Sequence, residues 1–179
     1  MPEDLEEELN IIEEREKEFH PNLEFAVSIN EPIEKILYRE PVLVTKDTKI
    51  IEAINLFNAK DVGCLLVIDK GTQKLIGIFT ERDVIRKLIT TGHDLNAETI
   101  EKYMTKSPDS LYLNDPLAYA LNRMAAGGYR HIPLVDENNI PVGFLSVRDI
   151  VDHLADYYSN DILNLPPSAH QKQRSKEGA

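Results

Sequence analysis

Gly77-Ile-Phe-Thr80-Glu-Arg-Asp83 decides how this chain is read, because it returns as Gly143-Phe-Leu-Ser146-Val-Arg-Asp149. Each copy closes an apolar run and opens a helical one, which places it at a strand-to-helix turn. The surrounding sequence repeats as well: residues 33–69 align without a gap on 100–136, an offset of 67. Ile33-Glu34-Lys35 matches Ile100-Glu101-Lys102, and Pro41, Ala53, Asn55 and Asp69 match Pro108, Ala120, Asn122 and Asp136. One residue is then lost in a turn, so the two Gly-x-x-[Ser/Thr]-x-x-Asp copies align at an offset of 66. Such self-similarity says that one unit has been used twice. Two units of this length are too few for a solenoid, which leaves a pseudo-symmetric pair sharing one core.

The 179 residues suffice for one domain with a sizeable core or for two small units packed together. A hydrophobic content of 42% beside 28% charged residues is ordinary for a globular protein. No apolar run approaches the roughly 18–20 residues of a membrane span, so no membrane insertion is expected. The acidic N-terminus does not read as a secretory signal. Cys64 is the only cysteine, which rules out an intrachain disulfide and a cysteine-rich zinc site and fits a cytoplasmic setting. The net charge is −11, with −8 in residues 1–30, +2 in residues 166–179 and −5 in the body between them. A body of that sign lacks the basic footprint that nucleic-acid binding needs.

Residues 3–19 read as an acidic helix with Leu5, Leu9, Ile12 and Phe19 on one stripe, either docked on the body or held against a partner. His20-Pro21-Asn22 ends it, and a connector follows. The first unit then runs from a short lead-in (Ile33 to Leu37) to a brief strand (Val42 to Val44) and a helix capped by Asp47-Thr48. A strand from Val62 to Ile68, continuous enough in apolar residues to be buried on both faces, comes next. Leu75 to Phe79 returns as its hairpin partner, and Thr80 starts a helix with Gly92 just past its end. Asp94 or Asn96 can cap the short helix that carries Ile100 and Met104. The second unit repeats the order with a strand from Ser110 to Leu113, a helix with Asp115-Pro116 at its start, and strands from Ile132 to Val135 and Val142 to Leu145. A closing helix runs from Ile150 to Tyr157, and after Pro166-Pro167 the tail is polar. The expected fold class is α+β, with two β-α-β-β-α repeats packed together behind an N-terminal helical extension. The divisions are 1–30 (acidic helix and connector), 31–92, 93–158 and the tail 159–179.

Two readings fit Thr80-x-x-Asp83 and Ser146-x-x-Asp149. One is a capping box, in which the hydroxyl takes the N3 amide and the carboxylate answers. The other is a ligand site, since a helix N-terminus offers free N–H groups to a phosphate. On that reading the preceding glycine lets a ligand approach, and an Asp one turn in can accept from ribose hydroxyls.

The two halves resemble a tandem pair of cystathionine-β-synthase (CBS) repeats, the Bateman module. The resemblance rests on Ile100-Glu-Lys-Tyr-Met104-Thr-Lys-Ser-Pro108, on Arg130-His-Ile-Pro133-Leu-Val-Asp136 and on both Gly-containing motif copies, and it covers residues 30–158. It implies an adenosyl ligand, with Ser146 and Asp149 on phosphate and ribose and with Arg130, His131 and Arg148 adding phosphate contacts. The base pocket would comprise Leu37, Val42, Val62, Gly63 and Phe144. Thr80 and Asp83 would form a poorer second site, because the counterparts of Arg130 and His131 there are Gly63 and Cys64 and because Asp109 stands where a base would pack. The resemblance implies a homodimeric, regulatory sensor of AMP, ADP or ATP acting on a further protein. An S-adenosylmethionine sensor or a ligand-free adaptor is the alternative. The sequence shows no metal-ligand spacing among its five histidines and no nucleophile motif, so neither a metal site nor catalysis is expected.

Overall fold

A computed structural model describes residues 29–157 except 37, 90, 91 and 93. The acidic helix expected over 3–19, the tail 159–179 and Leu37 lie outside the described residues. The first repeat contains β1 (Leu43–Thr45), α1 (Ile50–Lys60), β2 (Cys64–Ile68), β3 (Leu75–Thr80) and α2 (Glu81–Asp83), which runs on as a π-helical turn, Val84–Leu88. The second contains β4 (Thr105–Lys106), α3 (Leu117–Gly127), β5 (His131–Val135), β6 (Pro141–Ser146) and α4 (Val147–Tyr157). A 3-10 turn leads into each repeat, at Ile33–Lys35 and Ile100–Lys102.

The helices follow from spacing. α1 buries Ile50, Ala53 and Phe57, and α3 buries Leu117, Ala120 and Met124, the same positions one repeat later. Their starts fall later than the sequence suggests. Thr48 turns back to accept from Thr45 N–H at 3.2 Å, which leaves Lys49 at the N-cap of α1. Asp115 likewise accepts from Tyr112 N–H at 2.8 Å, and Pro116 is the N-cap of α3. That same bond withdraws Tyr112 from a ladder, so the strand expected from Ser110 to Leu113 shrinks to a single parallel bridge, Leu111 to Leu134. Asp94 caps its own turn, accepting from Asn96 N–H, and Thr99 precedes the Ile100 turn.

The lead-ins are exchanged between repeats. β4, from the second repeat's lead-in, adds antiparallel to β3 of the first and completes the sheet β1-β2-β3-β4. Reciprocally, Arg39 of the first lead-in bridges antiparallel to Phe144 in β6, beside the β5-β6 hairpin. Main-chain bonds obey the 67-residue offset: Ile33 N–H donates to Asp115 O and Ile100 N–H to Thr48 O, both at 3.0 Å. Glu34 N–H reaches Leu113 O at 2.8 Å, and Glu101 N–H reaches Lys46 O at 3.2 Å.

The cores show the same exchange. Ile33 and Ile36 are buried with Leu117, Ile132, Leu134 and Leu145 of the second repeat. Ile100 and Met104 are buried with Ile50, Phe57, Leu65 and Phe79 of the first. Between the two lies a third cluster of Cys64, Leu66, Leu75, Ile78, Val135 and Phe144. β2 is buried at every position, as expected: its period of two sends Leu65 and Val67 to the first core and Cys64 and Leu66 to the interface.

Candidate functional site

Both motifs fold as capping boxes at strand-to-helix turns. Thr80 Oγ1 accepts from Asp83 N–H at 3.3 Å, while Asp83 Oδ2 accepts from Thr80 N–H at 3.0 Å and from its hydroxyl at 2.7 Å. Ser146 Oγ accepts from Asp149 N–H at 3.2 Å, and Asp149 Oδ2 accepts from Ser146 N–H at 2.8 Å and from its hydroxyl at 2.6 Å. The second box is the more enclosed: Ser146 and Asp149 are the buried polar residues of the described chain. Each Asp keeps its other oxygen for a cation. Asp83 Oδ1 lies 2.7 Å from Lys87 Nζ, and Asp149 Oδ1 lies 3.1 Å from Arg39 Nε.

The motif glycines have a structural reason that the sequence reading missed. A Cβ on Gly143 would lie 2.6 Å from the Tyr38 ring and 3.0 Å from Arg39 O. One on Gly77 would lie 2.7 Å from Met104 Sδ and 3.1 Å from Thr105 O. These glycines admit the exchanged lead-in strand.

A cleft of about 1110 Å³ runs between the repeats and meets both motifs. Thr80 and Asp83 line it from one side, and Ser146, Arg130, His131, Arg148 and Phe144 from the other. Val62 and Gly63 also line it, with the His131 imidazole 3.1 Å from where a Gly63 Cβ would stand. His131 also packs edge-on to Phe144, with ring centroids 6.1 Å apart. Val42 is not on the wall; it packs half-buried against the first core beside β1. Arg148 is 80% exposed with Nε 3.7 Å from Asp152, so it stands at the rim. Asp109 lines the Asp83 end, where it accepts from Tyr129 Oη at 2.6 Å. Burial, and after it that bond, pushes the Tyr129 phenol up to about 12.

Three contributors were missed in the sequence: Arg39, Arg82 and Asp61. Arg82 Nη1 crosses to Gly128 O at 2.7 Å, tying α2 to the end of α3. Arg39 Nη1 reaches Asp61 O at 3.5 Å. The offset of 67 pairs Arg39 with Lys106, a cation ahead of each repeat, and that was the available signal. In all, Arg39, Arg82, Arg86, Arg130 and Arg148 share the cleft lining with Asp61, Glu81, Asp83 and Asp109. In a chain of charge −11, this is a local cationic excess. Burial first, then Arg130, holds His131 below its ordinary value of 6.5. Burial pushes the Cys64 thiol well up, which leaves it an inert core group. Among the described residues no cluster of His, Cys, Asp and Glu is assembled for a metal ion, and no helix is long and apolar enough to cross a membrane.

Comparison with known proteins gives this architecture its family. The CBS domain family model matches residues 28–90 and 100–156, more than half of the chain. A 17.7 kDa protein of Acidianus ambivalens is 29% identical over 127 residues, covering 71% of this chain and 75% of that one. Relatives from Rickettsia prowazekii, Schizosaccharomyces pombe and Methanocaldococcus jannaschii are longer, and the chain spans less than half of their length. A crystal structure of a conserved protein from Pyrococcus horikoshii superposes with a TM-score of 0.63 at 29% identity, covering 69% of this chain and 92% of that one. The CBS domain protein PAE2072 from Pyrobaculum aerophilum, complexed with AMP, shares the fold with a TM-score of 0.63 at 23% identity, covering 72% of this chain and 98% of that one. The exchanged lead-ins, the paired capping boxes and the family match agree: this chain belongs to the CBS domain family and carries two CBS domains.

Proposed function

We propose that this CBS pair is a regulatory sensor that binds an adenine nucleotide, AMP, ADP or ATP, in the cleft between its repeats. The observation that carries this reading is the row of guanidinium groups along the cleft of an acidic chain, next to the buried carboxylate of Asp149, which Arg39 of that row contacts. Asp149 would take the ribose hydroxyls, Ser146, Arg130 and His131 the phosphates, with Arg148 at the rim. Val62, Gly63 and Phe144 would face the base. Thr80 and Asp83 would form a second, weaker site, since Asp109 brings a carboxylate where a base would pack. A sulfonium ligand such as S-adenosylmethionine suits these walls less, because like charges repel at close range. The protein would act without catalysis, as a homodimer whose packing the ligand biases toward one arrangement for a partner protein to read. The fold neighbour PAE2072 holds AMP, which makes AMP the first ligand to test.

A second reading has its own support: the capping boxes are complete, as in an adaptor whose motifs only start helices. Thermal melting separates the two. Saturating nucleotide stabilises a binding protein by about 2.7 kcal/mol at 100 times Kd. The sensor requires a rise in Tm with AMP, ADP or ATP that is lost in Asp149→Asn and kept in Asp83→Asn. An adaptor shows no shift with any nucleotide.

A further inference from the structure

The Asp149 carboxylate uses its two oxygens for different purposes. Oδ2 is committed to the cap of α4, taking the Ser146 N–H and hydroxyl. Oδ1 takes Arg39 Nε at 3.1 Å. The Arg39 side chain is 39% exposed and that of Asp149 only 7%, and it is Arg39 that stands on the cleft wall. A ribose seeking Oδ1 therefore has to move the guanidinium that covers it.

We propose that Arg39 gates the Asp149 site and makes it selective for phosphorylated adenosine over adenosine and S-adenosylmethionine. This rests on the nucleotide reading above and specifies how that site chooses. Two ribose hydroxyls are neutral donors. They replace the Arg39 hydrogen bond but leave the guanidinium without its counter-charge, and the enclosed Asp149 carboxylate without its cation, which costs free energy. A phosphate supplies a new counter-charge, and the planar fork of an arginine matches its oxygens two at a time. Arg39 already extends across the cleft to Asp61 O, so a short swing takes it from carboxylate to phosphate. An uncharged nucleoside offers no such exchange. A sulfonium cation adds repulsion from Arg39 and from Arg82, Arg130 and Arg148 on the same walls. The Asp83 site has no equivalent gate: its cation, Lys87, belongs to the same helical turn, and Lys106, the counterpart of Arg39, is exposed.

Titration calorimetry of the full chain with AMP, adenosine and S-adenosylmethionine tests the gate in wild type, Arg39→Gln and Arg39→Lys. Wild type is expected to prefer AMP to both other ligands. In Arg39→Gln, AMP weakens and adenosine does not, so the AMP-to-adenosine preference falls about tenfold, the scale of one charge-assisted contact. Arg39→Lys keeps part of the preference. Loss of all ligands by one common factor, or S-adenosylmethionine binding wild type as tightly as AMP, overturns the gate and leaves an adenosyl site standing. No heat with any ligand in any of the three proteins removes the nucleotide reading and the gate with it. If Arg39→Gln does not fold, the Arg39 Nε–H resonance in the wild-type protein decides: AMP is expected to shift it, and an unmoved signal at saturating AMP overturns the proposal.

Discussion

In the first repeat, Asp83 is paired with Lys87 from its own helix, and in the second, Asp149 is paired with Arg39 across 110 residues of chain. Around these pairs the main chain is nearly a copy. Each carboxylate answers its own hydroxyl and amide, and each motif glycine lies under the other repeat's lead-in. Among the differences, Gly63 and the buried Cys64 occur where the second repeat has Arg130 and His131, both on the cleft wall. Burial keeps the duplicated core apolar and filled, so that Ile50 and Phe57 recur only as other large apolar residues, Leu117 and Met124. Exposed cleft positions are under no such constraint. The two halves thus share a scaffold and diverge in chemistry.

The scaffold side of this comparison is tested at the exchanged lead-ins, where the largest effects are expected. Ile33 and Ile100 are fully buried, each inside the other repeat's core. Either Ile→Ala change is expected to cost about 2–5 kcal/mol in urea denaturation. Amide exchange locates the damage. Ile33→Ala is expected to lower protection first in β5 and β6, and Ile100→Ala first in β2 and β3. Loss confined to the mutated residue's own half would break the exchange as the organising contact.

Next come the motif glycines. Gly143→Ala is expected to destabilise by about 1–3 kcal/mol, because the added methyl meets the stiff ring of Tyr38 and the Arg39 carbonyl. Gly77→Ala is expected to cost less, because its nearest neighbour is the flexible Met104 thioether. Equal losses would show that backbone approach, common to both sites, outweighs the side chain. A smaller change of opposite sign is expected at the helix ends. Asp61 ends α1 with φ of 50°, where Gly128 ends α3 with φ of 67°. Asp61→Gly is expected to raise stability by about 0.5–1 kcal/mol, the left-handed penalty less the extra entropy that glycine loses.

How much of this was legible depended on the range of the interaction. The duplication, the order of strands and helices apart from one strand, the caps at Thr80 and Ser146 and the doubly buried β2 are local patterns, and they appear as expected. The exchange of lead-ins is not local. Ile33-Glu34-Lys35 has the same letters whether it packs on its own repeat or on the other, so the sequence places it at the head of the first repeat without showing which core it enters. Two omissions follow from this: neither the cover of the motif glycines by the other repeat's lead-in nor the contact of Arg39 with Asp149 is visible in local pattern. The strand expected at Ser110 to Leu113 failed for a nearer reason, the Tyr112 amide preferring the Asp115 carboxylate.

The smallest expected effect is one of pH, and it falls on one repeat alone. His131 is held below 6.5 by burial, then by Arg130 and, less strongly, by Arg39 and Arg82, against an opposing pull from Asp149. Below pH 6.5 the unfolded chain therefore takes up a proton that the folded imidazole resists. The contribution is complete above that pH and is lost as pH falls beneath it, so the urea midpoint of wild type should drop more steeply between pH 7 and 5.5 than that of His131→Gln. The first repeat contributes nothing comparable, since its counterpart, Cys64, is a thiol pushed far up by burial. A phosphate beside His131 would reverse the preference, stabilising the imidazolium and making AMP binding take up a proton. AMP affinity should then rise from pH 7.5 to 6 more in wild type than in His131→Gln, which supplies the baseline of the phosphate's own titration. Parallel pH profiles in the two proteins would mean that the phosphate does not sit against His131, and the arginines alone would carry the difference between the two sites.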